Sequence, residues 1–113
     1  MIEKARRKEL VREYRERKQL FGIYAVRCEP ARKIWVAATK NLDRQQNGIW
    51  FQLRGNSHPN RSMMSAWKAH GEASFRYEIL EEVDDENPLL LDSLLKERAQ
   101  HWLKQLNAEP VVG

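Results

Sequence analysis

The clearest pattern of apolar and polar positions lies in residues 22–38. Gly22-Ile-Tyr-Ala-Val-Arg-Cys28 and Lys33-Ile-Trp-Val-Ala-Ala38 are short runs rich in β-branched and aromatic residues, parted by Glu29-Pro30-Ala31-Arg32. The insert has turn composition, with proline placed to set φ, so the two runs predict an antiparallel hairpin. A symmetric turn sets Tyr24 opposite Ala37 and Val26 opposite Trp35, all on one face of the pleat. Residues 41–53 predict a helix with Asn41 as N-cap and Leu42, Ile49, Trp50 and Leu53 at amphipathic spacing, Gly48 being its weak point. A polar loop, Arg54 to Pro59, leads to a second helix from Asn60 to His70, with Met63, Ala66, Trp67 and His70 at helical spacing and Gly71 as its stop.

Phe75, Tyr77 and Ile79 alternate with Arg76, Glu78 and Leu80, which marks a third strand. Acidic Glu81–Asn87 reads as a loop, and Pro88 opens a last helix to about Leu106 that turns Leu91, Leu94, Leu95, Trp102 and Leu106 inward. Ahead of all this, residues 2–19 carry Leu10, Val11 and Tyr14 as a narrow apolar stripe in a strongly basic helix, whose charge is met partly by pairs such as Arg12–Glu16. The order α-β-β-α-α-β-α predicts an α+β fold: a small three-stranded antiparallel sheet flanked by helices. An N-terminal basic helix over 1–20 precedes one compact domain over 21–113.

Composition narrows the function classes. The 113 residues are 42% hydrophobic, too apolar for a disordered tail. No apolar run nears the roughly 20 residues that span a bilayer, and the charged N-terminus lacks the apolar centre of a secretory signal, so a cytoplasmic protein with no membrane partner is expected. Cys28 reads as a small packed strand residue, and with His58, His70 and His101 it shows no zinc-ligand spacing. No serine sits in a nucleophile elbow. Charge is uneven: residues 1–20 hold eight Lys/Arg against four Glu, residues 21–80 nine against four, and residues 81–113 three against eight. The first two-thirds suit a polyanion and the last third does not.

With these elements in place, the hairpin resembles the motif pair that names the GIY-YIG nuclease family. Gly22-Ile23-Tyr24 matches the first motif, and Trp35-Val36-Ala37 stands where the family has Tyr-Ile-Gly. Ala38-Thr39-Lys40-Asn41-Leu42 is similar to the family's lead into its first helix. Ser57-His58-Pro59-Asn60, Ala66-Trp67-Lys68-Ala69-His70-Gly71-Glu72, Phe75 and Tyr77-Glu78-Ile79-Leu80-Glu81 resemble the branch of intron-homing endonucleases. The resemblance runs from about residue 21 to 107.

It implies metal-assisted phosphodiester hydrolysis on a GIY-YIG-like fold. A carboxylate of the last helix holds Mg2+ or Mn2+, the first tyrosine handles the attacking water, and an arginine and the second tyrosine act on the phosphate. The carry-over is incomplete. Tyr24 is present and His58 matches the loop histidine, but Trp35 replaces the second tyrosine, Gln45 the arginine and Ala99 the metal-binding glutamate. Arg44 is next to Gln45, rotated about 100° around the helix. Glu97 should point to solvent, and Arg98, inside the apolar stripe, should pair, with Glu78 a candidate.

The site expectation is therefore Tyr24, Trp35, Gln45 and His58 at the reaction centre, with no metal ligand assigned, and Tyr24, Trp35 and the Gln45 side of the helix on one concave surface. Arg44, Arg54, Arg61, Lys68 and Arg12 should contact nucleic acid, with DNA favoured, and Trp50 and Trp67 should be buried unless they stack on bases. Three functions fit: a nucleic-acid-binding domain with hydrolysis weak or lost, an active endonuclease with ligands relocated to Glu78, Glu81 or Glu97, and a protein-interaction module using the acidic C-terminal third.

Overall fold

The computed structural model describes residues 20–84 and 87–111; the expected helix over 2–19, Arg12 included, lies outside them. Strands β1 (Gly22–Cys28) and β2 (Lys33–Thr39) form the hairpin, with Tyr24 opposite Ala37 and Val26 opposite Trp35, as the alternation predicts. Strand β3 (Phe75–Glu82) lies antiparallel on the other side of β1, reaching two residues into the stretch read as loop. Beyond the expected three strands there is a fourth. Strand β4 (Glu109–Pro110) pairs in parallel with β2, so the sheet is mixed and ordered β3-β1-β2-β4. Two residues, one of them proline, carry no alternation for a sequence reading to detect.

β1 is central, and all its residues except Arg27 are buried. Its pairing with β3 slips at one point: Ile23 faces Glu81 but Tyr24 faces Ile79, which leaves Leu80 as an extra bulged residue. Gly22 is required beside this bulge, because a Cβ there would overlap the Glu81 carbonyl oxygen and lie 2.5 Å from Leu42 Cδ1.

Each face of the sheet carries its own core. Tyr24, Val26, Cys28, Trp35 and Phe75 lie under helices α1 (Gln45–Arg54) and α2 (Arg61–His70), against Ile49, Leu53 and Met63. Trp50 is buried and Trp67 partly so, both packed edge-on to Phe75. Ile23, Ala25 and Val36 line the opposite face under helix α3 (Pro88–Gln105), which turns in Leu91 and Leu95 with Leu94, Trp102 and Leu106 beside them.

Helix ends follow local chemistry. Asn60 caps α2, its side chain accepting from the Met63 N–H at 2.9 Å, and Gly71 ends the helix at φ +82°. Asn87 accepts from the Leu89 N–H, and Pro88 opens α3. The start of α1 departs from expectation: Asn41 is not its N-cap. Leu42 is buried and bonds by its N–H to the Leu20 carbonyl, so residues 42–44 form a turn and regular helix begins at Gln45.

Candidate active site around Tyr24 and Gln45

Strand alternation puts Tyr24 and Trp35 on the same face, beneath α1 and α2. Neither ring lines an open surface, since Tyr24 is 3% and Trp35 0% exposed. The expected concave surface is thus closed over by the helices, and what remains is a part-buried polar thread beside an apolar layer.

That thread starts at the end of β2. The Asn41 N–H donates to Thr39 Oγ1 at 3.1 Å, and Thr39 Oγ1 donates to Gln45 Oε1 at 2.6 Å. Gln45, the first residue of α1, also lies near enough to Tyr24 for its amide to act on that phenol. Tyr24 stacks on Tyr77 with ring centroids 5.4 Å apart, and the Tyr77 hydroxyl donates to the Leu42 carbonyl at 2.8 Å. Burial raises the Tyr24 pKa, Tyr77 adds to the rise, and the Gln45 contact offsets a little of it. Tyr77 is pushed up to about 12, by burial and then by Asp43. Both are phenols at neutral pH: Tyr24 can orient a group by hydrogen bonding but holds almost no phenolate to serve as a base.

Trp35 stacks on Phe75 at 5.9 Å, and its indole Nε1 is buried without a hydrogen-bond partner among the described residues. Trp35 lies beneath a cleft of about 350 Å3 between the start of α2 and β4, walled by Asn60, Arg61 and Pro110. His58 is buried in the loop after α1, where its Nδ1 accepts the Asn60 N–H at 3.1 Å. Burial lowers its pKa, so it is a neutral ring that braces the turn into α2. The structure therefore sets Gln45 near Tyr24, puts Trp35 in the same layer, and ties His58 to Asn60.

The residues do not fit the divalent cation that the resemblance implies. Ala99 packs partly buried against the Ile23 and Val36 face. Glu97 is exposed, as its helical position predicts. Arg98 pairs with Glu81 at 2.7 Å and not with Glu78, which pairs with Arg27 at 2.7 Å. Trp102 Nε1 also donates to Glu81, at 2.9 Å. Burial opposes ionisation of Glu81, but Trp102 and Arg98 outweigh it and hold the carboxyl below its usual pKa. Among the described residues no three His, Cys, Asp or Glu side chains gather closely enough to hold a metal ion.

Arg44, Arg54, Arg61 and Lys68 are all exposed on the α1–α2 side. Arg54 is held by Glu72 at 2.6 Å, while Arg44, Arg61 and Lys68 form no ion pair among the described residues. Arg61 and Lys68 are seven apart, so they share one face of α2. Sequence reasoning did not single out Thr39 or Tyr77 for the site. Their signal is period-two placement: Thr39 follows Trp35 and Ala37 on one face of β2, and Tyr77 follows Phe75 on β3.

No family profile matches the chain, and no curated protein matches it. Among solved structures it is similar to the catalytic domain of intron endonuclease I-TevI in a glutamate-to-alanine mutant, with TM-score 0.66 and 27% identity over 78% of this chain and 84% of that one. It is similar also to the catalytic domain of homing endonuclease I-TevI, with TM-score 0.65 and 26% identity over 77% of this chain and 88% of that one. No helix among the described residues is long and apolar enough to cross a membrane. With its hairpin motif, its helices on both faces of the sheet and these neighbours, the chain has a GIY-YIG-like fold.

Proposed function

We propose that this chain is a nucleic-acid-binding domain on a GIY-YIG-like fold, directed at DNA, in which phosphodiester hydrolysis is weak or lost. The observation that carries the reading is Gln45. Where phosphate chemistry needs a fixed positive charge there is a neutral amide, whose oxygen accepts from the Thr39 hydroxyl at 2.6 Å. Ala99 offers no oxygen to a hard cation. Losing one such electrostatic group costs about 10²-fold or more in rate, so losing both leaves no useful turnover.

Binding is supported by two things. The neighbours are homing-endonuclease catalytic domains, and Arg44, Arg61 and Lys68 stand exposed on the α1–α2 side with no ion pair among the described residues, Lys40 and Arg54 being held by Asp92 and Glu72. The active-enzyme reading draws less support, because Glu78 and Glu81 are occupied by arginines. A titration of labelled duplex DNA at several salt concentrations tests the proposal. Three phosphate contacts, from Arg44, Arg61 and Lys68, give a log–log salt slope of about −3. A flat slope would count against nucleic acid and favour a protein partner. Rapid nicking of supercoiled plasmid with Mg2+ or Mn2+ would show that hydrolysis is retained.

A further inference from the structure

Burial divides α1 sharply. Ile49, Trp50 and Leu53 face the core. At about 100° per residue, the direction opposite them falls on Arg44 and Phe51, seven residues apart, with Asn47 and Gly48 to either side. All four are exposed, and the Phe51 ring is 76% exposed.

Two features of this ridge have no explanation in packing. The first is Phe51 itself, an aromatic ring left largely in solvent. The second is Gly48, in a helix interior where glycine is a poor choice against alanine. A methyl group there would meet nothing within 4 Å, and the backbone does not have a positive φ. Neither crowding nor conformation requires glycine at this position. The result is a strip of bare helix backbone flanked by an arginine one turn before it and a phenyl ring nearly one turn after it.

The surrounding charge says what such a strip suits. Of the five Lys/Arg between residues 40 and 71, Lys40 pairs with Asp92 and Arg54 with Glu72, which leaves Arg44, Arg61 and Lys68 against Asp43. A polyanion complements that balance, whereas an apolar protein patch would leave Arg44 without a counter-charge. Resting on the nucleic-acid reading above, we infer that the outer ridge of α1 is a contact site for nucleic acid with unstacked bases. Phe51 takes the face of a base, Arg44 takes a phosphate, and the missing side chain at Gly48 lets the sugar–phosphate chain approach the helix closely.

The test titrates the full chain with labelled oligothymidylate and with duplex, comparing the parent with Phe51→Ser, Phe51→Leu, Phe51→Tyr and Gly48→Ala. Phe51→Ser and Phe51→Leu should each weaken single-strand binding about tenfold, the effect of losing one stacked base. Phe51→Tyr should bind as the parent does. Gly48→Ala should raise the melting temperature by about 4 °C, because alanine is the better helix former, and yet weaken binding. If Phe51→Leu keeps the affinity that Phe51→Ser loses, the ring is a general apolar contact and stacking is overturned. If all variants bind as the parent with the salt slope intact, the ridge inference falls while the nucleic-acid reading stands. If the parent itself shows no salt-dependent binding, both fall.

Discussion

Replacing Asn60 by alanine should be among the costlier polar substitutions in this domain. Its side chain does two jobs at once. Oδ1 accepts the Met63 N–H and caps α2, while Nδ2 donates to the Pro110 carbonyl at 3.2 Å and the Val111 carbonyl at 2.8 Å. Loss of an N-cap costs about 1 kcal/mol, and each lost hydrogen bond to the tail adds about 1 kcal/mol where the carbonyl is left unsatisfied. Discounting the two tail bonds because they share one donor group, the total is about 2–3 kcal/mol. In a domain of this size that lowers the melting temperature by about 10 °C.

Two further variants separate the jobs. Asn60→Ser retains a capping oxygen but is too short to reach the tail, so it should lose only the tail share. Asn60→Asp caps well but turns a carboxylate toward two carbonyl oxygens, and should destabilise more than serine does. Urea unfolding gives the free energies, and hydrogen exchange at the Val111 N–H, which donates to the Val36 carbonyl at 3.2 Å, reports tail docking directly. An alanine variant within about 0.5 kcal/mol of the parent, the range of ordinary surface changes, would refute the reasoning, as would tail exchange unchanged in the serine variant.

The tyrosine pair sets the response to alkali. A phenol whose folded pKa is raised stays protonated in the native state after the unfolded chain has ionised, so stability should hold to about pH 10 and fall as pH rises toward 12; denaturant unfolding across that range checks it, and Tyr77→Phe should shrink the fall. Gly22→Ala forces a methyl group onto the Glu81 carbonyl and should cost about 2 kcal/mol or more, measurable by thermal unfolding, with a neutral effect contradicting the close approach. Gln45→Arg combined with Ala99→Glu should give Mn2+-dependent plasmid nicking above the parent level, while each single change stays at that level; activity in either single variant would mean the missing group is supplied from elsewhere.

Local patterns made a good part of this protein legible. The hairpin register, the Asn60 cap, the Gly71 stop and the inward stripe of α3 depend on period-two or 3.6-residue spacing and on neighbours a few positions away. The departures Trp35, Gln45 and Ala99 could be read off motif order alone. Other features depended on contacts between distant segments. The bulge at Leu80 reverses the alternation of β3, so Glu81 turns to the α3 face and meets Arg98 and Trp102, while simple alternation would send it to the Tyr24 side. β4 exists because the chain leaving α3 returns beside β2, where Asn60 holds two of its carbonyls. Tyr24 is a buried phenol only because α1 and α2 are laid over its face of the sheet, and that burial, which no spacing encodes, sets its chemistry.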